Sequence, residues 1–367
     1  MKLMLGGRYL TMSKYVPFLK LKSNEIMAVK ELDTDLRRAL TPFFDFPYKK
    51  ERSEEDFKRN AGRMFRSINR HLKDIPYFYL DNFDVDSNLV VDGGNNYAYL
   101  LSVFKDLPVV PVISIDRSDD HMLAVCEAKN SGDLKSDLVA LRFVAEDFES
   151  FDVVADSIKE RLGDTFGKFA NIDLILDCRV CSNQVLDSLV SNANNFIQKF
   201  TNDYTVNKII VTGPSIPASI GKILSVGYEV ELPRLELDIF DGVCNAIGDD
   251  FDVVLGDYGI VSPNYSDLNI APELFQNVMT AKILYTFDRH HFIIRGGAIK
   301  THERGNEQFY DQAAIIVDNI FYRGAGYSWG DNFIDEESRS EGSLVTNSTI
   351  LKPTINTHIT YMLKDYV

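Results

Sequence analysis

Cysteine is scarce in this chain, with four in 367 residues. So few in so long a chain do not make a disulfide framework. Cys178 and Cys181 form a CxxC inside LILDCRVCSN, but Cys126 and Cys244 stand alone, and a zinc site wants a second pair. No apolar run approaches the roughly 20 residues that span a bilayer, so no transmembrane helix is expected. The opening MKLMLGGRYLTMSKY lacks the apolar middle and small-residue cleavage site of a signal peptide. A reducing cytoplasm is therefore the expected compartment. Cations are also short: 39 Lys and Arg against 54 Asp and Glu leave a net charge of −15. That balance disfavours nucleic acid and anionic membranes as general partners, while leaving room for one local basic pocket. No GxGxxG turn follows an early strand, which argues against a dinucleotide-binding open sheet. DGGNN at 92–96 reads instead as a turn before a helix.

What is present is a soluble globular composition, 45% hydrophobic and 25% charged. Eight short apolar, β-branched or aromatic runs recur along the chain. They are YVPFLK (15–20), LTPFFDFP (40–47), PYFYLDNF (76–83), VVPVISID (109–116), LVALRFV (138–144), IDLILDC (172–178), KIIVTG (208–213) and DVVLGDYG (252–259). Stretches with a helical period separate them. SEEDFKRNAGRMFRSINRHL carries Phe57, Met64, Phe65 and Ile68 on one face, and SNEIMAVKELDTDLRRA, ESFDVVADSIKERLGDTFGKF and SNQVLDSLVSNANNFIQKF repeat the pattern. Eight strands alternating with helices imply right-handed crossovers and a parallel sheet. The expected fold is α/β, a (β/α)8 TIM-type barrel with a C-terminal elaboration after the eighth strand. The expected organisation is an N-terminal extension over 1–14, the barrel over 15–263 and the elaboration over 264–367. The elaboration should hold two short strands and two or three helices, and DEESRSEGS (335–343) reads as a flexible loop.

In such a barrel the chemistry sits where strands give way to helices. The polar residues there are Lys20, Asp45, Asp81, Asp116, Arg142, Asp177 with Arg179, Thr212 with Ser215, and Asp257. One reading is a structural layer of ion pairs and helix caps. The other is a site, because burying several carboxylates is costly unless cations or a metal balance them. Asp45, Asp81, Asp177 and Asp257 are the candidate catalytic residues, as general base or as a pair holding a divalent ion. Lys20, Arg142 and Arg179 would grip an anion, with Arg295 added from the elaboration. Asp116 and Ser215 would line the same pocket. The cofactor is left open. His290 and His291 are adjacent and would face opposite sides of a strand. His302 has no second His at helical spacing. Trp329, the only tryptophan, is either a core plug or a lid over the mouth.

The order of these motifs resembles the beta protein family, named for the beta protein of T-even bacteriophages and with bacterial relatives. The opening YVPFLKLKSNEIMAVKELD and LTPFFDFP match its first two strands, with Lys20 and Asp45 in the family's charged places. Asp257-Tyr258-Gly259, Arg295-Gly296, then Gly305 with Gln308 and Phe309, then Ser328 with Gly330 and Asp331, and finally His358 follow in the family's order. The chain departs from the pattern at SLVTNSTILKP, where a Trp is usual, and at Thr357-His358, where two histidines are common. Residues 1–11 precede the usual start, which makes Met12 a natural initiator. The resemblance implies a phage or mobile-element accessory protein acting in the bacterial cytoplasm, and no catalytic residue list comes with it. It also implies that Arg295, Gln308, Asp331 and His358 share one site with the barrel mouth. The expected function is binding of an anionic, phosphorylated or nucleotide-like ligand. The alternative is a non-catalytic interaction protein that binds and modulates a host or defence protein.

Overall fold

The computed structural model describes residues 3–5, 8–10, 14–264 and 279–367. Met12 lies outside the described residues, as does half of the 1–14 extension. All eight apolar runs form strands of one closed, all-parallel barrel: Tyr15–Lys20 (β1), Phe43–Asp45 (β2), Phe78–Asp81 (β3), Val109–Ile113 (β4), Leu138–Val144 (β5), Asn171–Asp177 (β6), Lys208–Thr212 (β7) and Val253–Asp257 (β9). A further strand, Tyr228–Pro233 (β8), falls between the last two in sequence but outside the barrel. Alternate residues turn inward. Val16, Phe18, Phe43, Tyr79, Ile175 and Ile210 fill the barrel interior. The other face packs beneath a ring of helices, Ser23–Lys30 (α1), Glu54–His71 (α2), Asn96–Phe104 (α3), Asp119–Ser131 (α4), Phe151–Phe166 (α5), Leu186–Asp203 (α6) and Leu235–Ile247 (α7).

The helices follow local rules. α2 starts at Ser53, whose hydroxyl accepts from the Asp56 amide at 3.2 Å, and buries Phe57, Ala61, Met64 and Ile68 along one stripe. α3 starts at Asn95, which accepts from the Tyr97 amide at 2.8 Å, after a turn in which Asp92 and Gly93 take positive φ. The first helical stretch divides, because Arg37 in the short helix Thr34–Ala39 donates to the carbonyls of Lys30 and Leu32 and closes the break.

Strand register aligns the charged ends. Lys20 lies opposite Asp45, and Asp45 opposite Asp81. The far end of the barrel is sealed by buried pairs. Tyr79 donates to Asp173 at 2.5 Å, and Lys208 donates to the Tyr77 hydroxyl at 2.8 Å.

The C-terminal elaboration is built on an antiparallel sheet, β8 beside His290–Ala298 (β11) beside Thr280–Phe287 (β10). The expected two strands are β10 and β11. The third, β8, comes from between β7 and α7, inside the span read as barrel. The sheet lies between two apolar layers. Leu284 and Ile293 join the core around the barrel, whereas Ile283, Tyr285, Phe292 and Ile294 pack on Gln308–Val317 (α8) and Trp329–Ser338 (α9). The final helix, Leu351–Tyr361 (α10), runs against α1, where Asn356 donates to the Ala28 carbonyl at 3.0 Å. DEESRSEGS is not all loop, because Asp335–Ser338 forms the last turn of α9, which the Arg339–Asp335 pair closes. Trp329 begins α9, with the Lys352 ammonium 4.1 Å over its ring, and Lys352 in turn pairs with Glu31 just after α1.

Two buried acids without an ion-pair partner among the described residues also leave carboxylate oxygens without hydrogen bonds: Glu25 through Oε2, and Glu337 through both. Burial lifts each to about 7. A raised acid pKa means stability that is complete below about pH 4.5 and declines as pH rises through 7. We expect the melting temperature to fall between pH 5 and 8. Glu25→Gln should recover up to roughly 3 kcal/mol at pH 8, and adding Glu337→Gln should flatten the profile further. A wild-type profile already flat over that range would contradict this.

Candidate functional site

Arg142 lies at the centre of the barrel mouth and is 1% exposed. Its Nε and Nη2 donate to Asp177 Oδ2 at 3.1 and 2.6 Å, its Nη1 donates to Asp81 Oδ2 at 2.8 Å, and Nη1 lies 3.6 Å from Asp45. Tyr258 also donates to Asp177 Oδ2, at 2.6 Å. Lys20 pairs with Asp45 at 3.3 Å and with Asp84. Arg117 donates to both oxygens of Asp81 at 3.0 Å. Arg179, at a positive φ, donates its amide to Asp177 Oδ1 at 2.9 Å. Above these groups sits Phe83, its ring 4.5 Å from the Arg142 guanidinium and 4.8 Å from those of Arg117 and Arg179.

The charges at the mouth balance. Four cations (Lys20, Arg117, Arg142, Arg179) face four acids (Asp45, Asp81, Asp84, Asp177). Burial alone would raise the Asp45 carboxyl, but Lys20, Arg142 and Arg117 hold it below its ordinary value. Burial, opposed by Arg117 and Arg142, lifts Asp81. Burial drives the Tyr258 phenol well above its usual value, so it remains a donor to Asp177. Among the described residues no three His, Cys, Asp or Glu side chains group as a metal site requires. Burial pushes the Cys178 and Cys181 thiols up, away from the reactive thiolate.

Asp257 does not join this ring. In β9 the inward positions are Val254 and Gly256, and a Cβ on Gly256 would strike Phe18 at 2.8 Å. Asp257 therefore turns outward, toward the elaboration, into a second buried network. Tyr15 donates to its Oδ1 at 2.6 Å and Arg234 to its Oδ2 at 2.7 Å. His358 Nε2 lies 3.1 and 3.0 Å from the two oxygens. Thr286 Oγ1 links His358 Nδ1 at 2.8 Å to His291 Nδ1 at 3.0 Å. Arg234 Nε also donates to Glu236, which accepts from Ser215 at 2.6 Å. Burial opposes ionisation of Asp257, but His358, Arg234 and Tyr15 hold its carboxyl far below the usual range. Burial beside Arg234 drives His291 well below its ordinary value, so it is neutral. The network fastens the first and last barrel strands to β10, β11 and α10.

The remaining sequence candidates are dispersed. Asp116 sits on the mouth rim, 3.7 Å from Arg117. Ser215 accepts from the Leu235 amide at 2.7 Å, at the start of α7. Gln308 accepts from the Gly297 amide at 2.7 Å, and Asp331 accepts from Tyr285 at 2.6 Å while forming a capping pair with Ser328. Arg295 donates to the Leu224 carbonyl at 2.5 Å. A composite of barrel mouth, Arg295, Gln308, Asp331 and His358 is therefore not what the fold assembles. Arg117, Asp84, Phe83 and Arg234 escaped the sequence reading. All four follow strands at irregular distances.

Beside the ring lies a cavity of about 450 Å³, lined among others by Asn82, Phe83, Asp116, Arg117, His121 and Arg161. Two buried atoms on its wall residues have no hydrogen-bond partner among the described residues, the Asn82 Oδ1 acceptor and the Arg117 Nε donor.

A closed barrel with charged Lys20 and Asp45 at its first strand ends, Asp257-Tyr258-Gly259 at its last, and His358 returning to that aspartate agrees with a sequence match to the family described as Beta protein, over residues 15–364. The chain belongs to the beta protein family. No curated protein matches the chain individually. No described helix of this beta-family protein is long and apolar enough to cross a membrane.

Removing one member of a buried ion pair leaves its partner charged and unpaired. We expect Arg142→Met and Asp257→Asn each to lose about 3–5 kcal/mol in urea unfolding. A loss under 1 kcal/mol in either would show that its network contributes little to stability.

Proposed function

We propose that this protein binds a small phosphorylated, hydroxyl-bearing molecule at the barrel mouth, in the polar cavity between Phe83 and Arg161. The observation that carries this reading is a pair of buried atoms on the wall residues that make no hydrogen bond among the described residues, the acceptor at Asn82 Oδ1 and the donor at Arg117 Nε, which has only Asp116 at 3.7 Å. Leaving either unmatched costs about 1–3 kcal/mol. A sugar hydroxyl suits the first and a phosphate oxygen the second. Arg117 and Arg161 would supply the positive charge, Phe83 a face for stacking, and exposed Asp116 a second acceptor for hydroxyls. Lys20, Arg142, Asp45, Asp81 and Asp177 act on this reading as the floor that orients Arg117. The balanced mouth charges need no metal ion to neutralise them. A phage or mobile-element accessory role in the bacterial cytoplasm is compatible with such a pocket. The alternative of a host- or defence-protein partner rests on the acidic surface and the C-terminal elaboration, so we prefer the reading that a cavity supports.

Calorimetric titration with ribose 5-phosphate, adenosine monophosphate and inorganic phosphate tests this. At least one organic phosphate should bind, and Arg117→Ala should weaken it 10- to 100-fold, as for a charged hydrogen bond. Asn82→Ala should weaken it roughly fivefold without lowering the affinity for inorganic phosphate. No binding by any of the three at millimolar concentration, or affinities indifferent to both variants, would overturn the proposal.

A further inference from the structure

Lys282 and Arg295 face each other across the β10–β11 pair. Like charges directly opposite in a sheet repel, and an acid is the usual remedy. Here neither side chain has a carboxylate in ion-pair range among the described residues, in a protein that carries 15 more acids than bases. The Arg295 guanidinium is held in place all the same. Its Nη1 donates to the Leu224 carbonyl at 2.5 Å, its Nε reaches Thr280 Oγ1 at 3.4 Å, and its plane lies so close to Gly221 that a Cβ there would come within 3.2 Å. The Lys282 ammonium has no hydrogen-bond partner among the described residues. Burial, with Arg295 adding to it, lowers its proton affinity.

Both residues lie on the barrel-facing side of the sheet, in line with Leu284 and Ile293. Lys282 lines a cavity of about 360 Å³ between residues 216–220 after β7, residues 260–264 after β9 and the C-terminal elaboration. The walls are largely aliphatic, with Ile216, Ile220, Ile260 and Leu284 contributing. Asn347 joins the same wall, and its Oδ1 is buried without a partner. Lys282 is half-buried beside these aliphatic walls, and an entering anion would offset the cost of holding its charge there.

We propose that this cavity is a binding site, separate from the barrel mouth, for a small amphipathic acid. Lys282 holds its anionic head, a carboxylate or a phosphate monoester, with Arg295 adding positive charge from the facing strand, and the aliphatic body lies among Ile216, Ile220, Ile260 and Leu284. The Asn347 amide meets a polar substituent next to the head. The site does not depend on the mouth reading, since it shares no residue with it.

The test is calorimetric titration of the full chain with octanoate, octyl phosphate and octanol, the last keeping the tail without the charge. At least one of the two acids should bind, and more tightly than octanol. The preferred acid identifies the head group. Lys282→Met keeps the volume and removes the charge. It should weaken the acid at least tenfold, leave octanol unchanged, and leave ribose 5-phosphate binding at the mouth unchanged. In the wild-type protein the bound acid should also slow acylation of Lys282 by an activated ester, read by peptide mass spectrometry, which tests the site should the variant fold poorly. The proposal is overturned if neither acid binds, if the acid binds no better than octanol, or if Lys282 reacts equally fast with and without it.

Discussion

The Arg142 guanidinium is enclosed on every side by the barrel it closes. At 1% exposure it has no water to turn to, and its charge is met by Asp81 and Asp177 at 2.8 and 2.6 Å. Those aspartates in turn take donors from Arg117, Tyr258 and the Arg179 backbone. In a low-dielectric interior such a group is stable only when all its members are present together. The inward faces of five strands must therefore arrive in one register, and the Lys20–Asp45–Asp81 row shows three of them doing so. The mouth is thus a rigid floor, and the adaptable chemistry lies on its rim, at Asn82, Asp116 and Arg117.

Strand period decides which charges belong to that floor. Lys20, Asp45, Asp81, Arg142 and Asp177 each sit an even number of residues from an inward apolar side chain, such as Phe18, Phe43, Tyr79, Ala140 or Ile175. Asp257 is odd with respect to Val254, so it faces outward although its sequence surroundings look the same. The outward side is equally buried, because β10, β11 and α10 cover it. One strand therefore serves two networks, with Tyr258 turned into the mouth and Asp257 turned into the clamp that holds the elaboration.

The two cavities differ in how their charges are treated. At the mouth each cation is paired, and what remains open is hydrogen-bonding capacity. Behind the sheet the charge itself is open, at Lys282 and Arg295. The first arrangement suits a ligand read by several polar contacts, the second a ligand whose head supplies a missing counter-charge.

Much of this was legible in the sequence, and for a local reason. The eight barrel strands were visible because each is a short apolar run bounded by polar residues, and the helices between them because Phe57, Met64 and Ile68 repeat at a helical period. The row of charges at the strand ends was visible because it interrupts those runs. Alternation is a property of the backbone, so residue spacing alone carries it. The inward or outward sense of Asp257 was hidden because Gly256 has no side chain to mark its face. Arg117, Arg234 and Lys282 were hidden because their significance lies in what stands opposite them, across loops and across a sheet whose third strand comes from elsewhere in the chain. Strand positions and the charged ring were thus set by local pattern. Which charges were balanced, and which were left without a partner, was decided only by closure of the barrel and docking of the elaboration, because electrostatic balance depends on distance in space and on the exclusion of water.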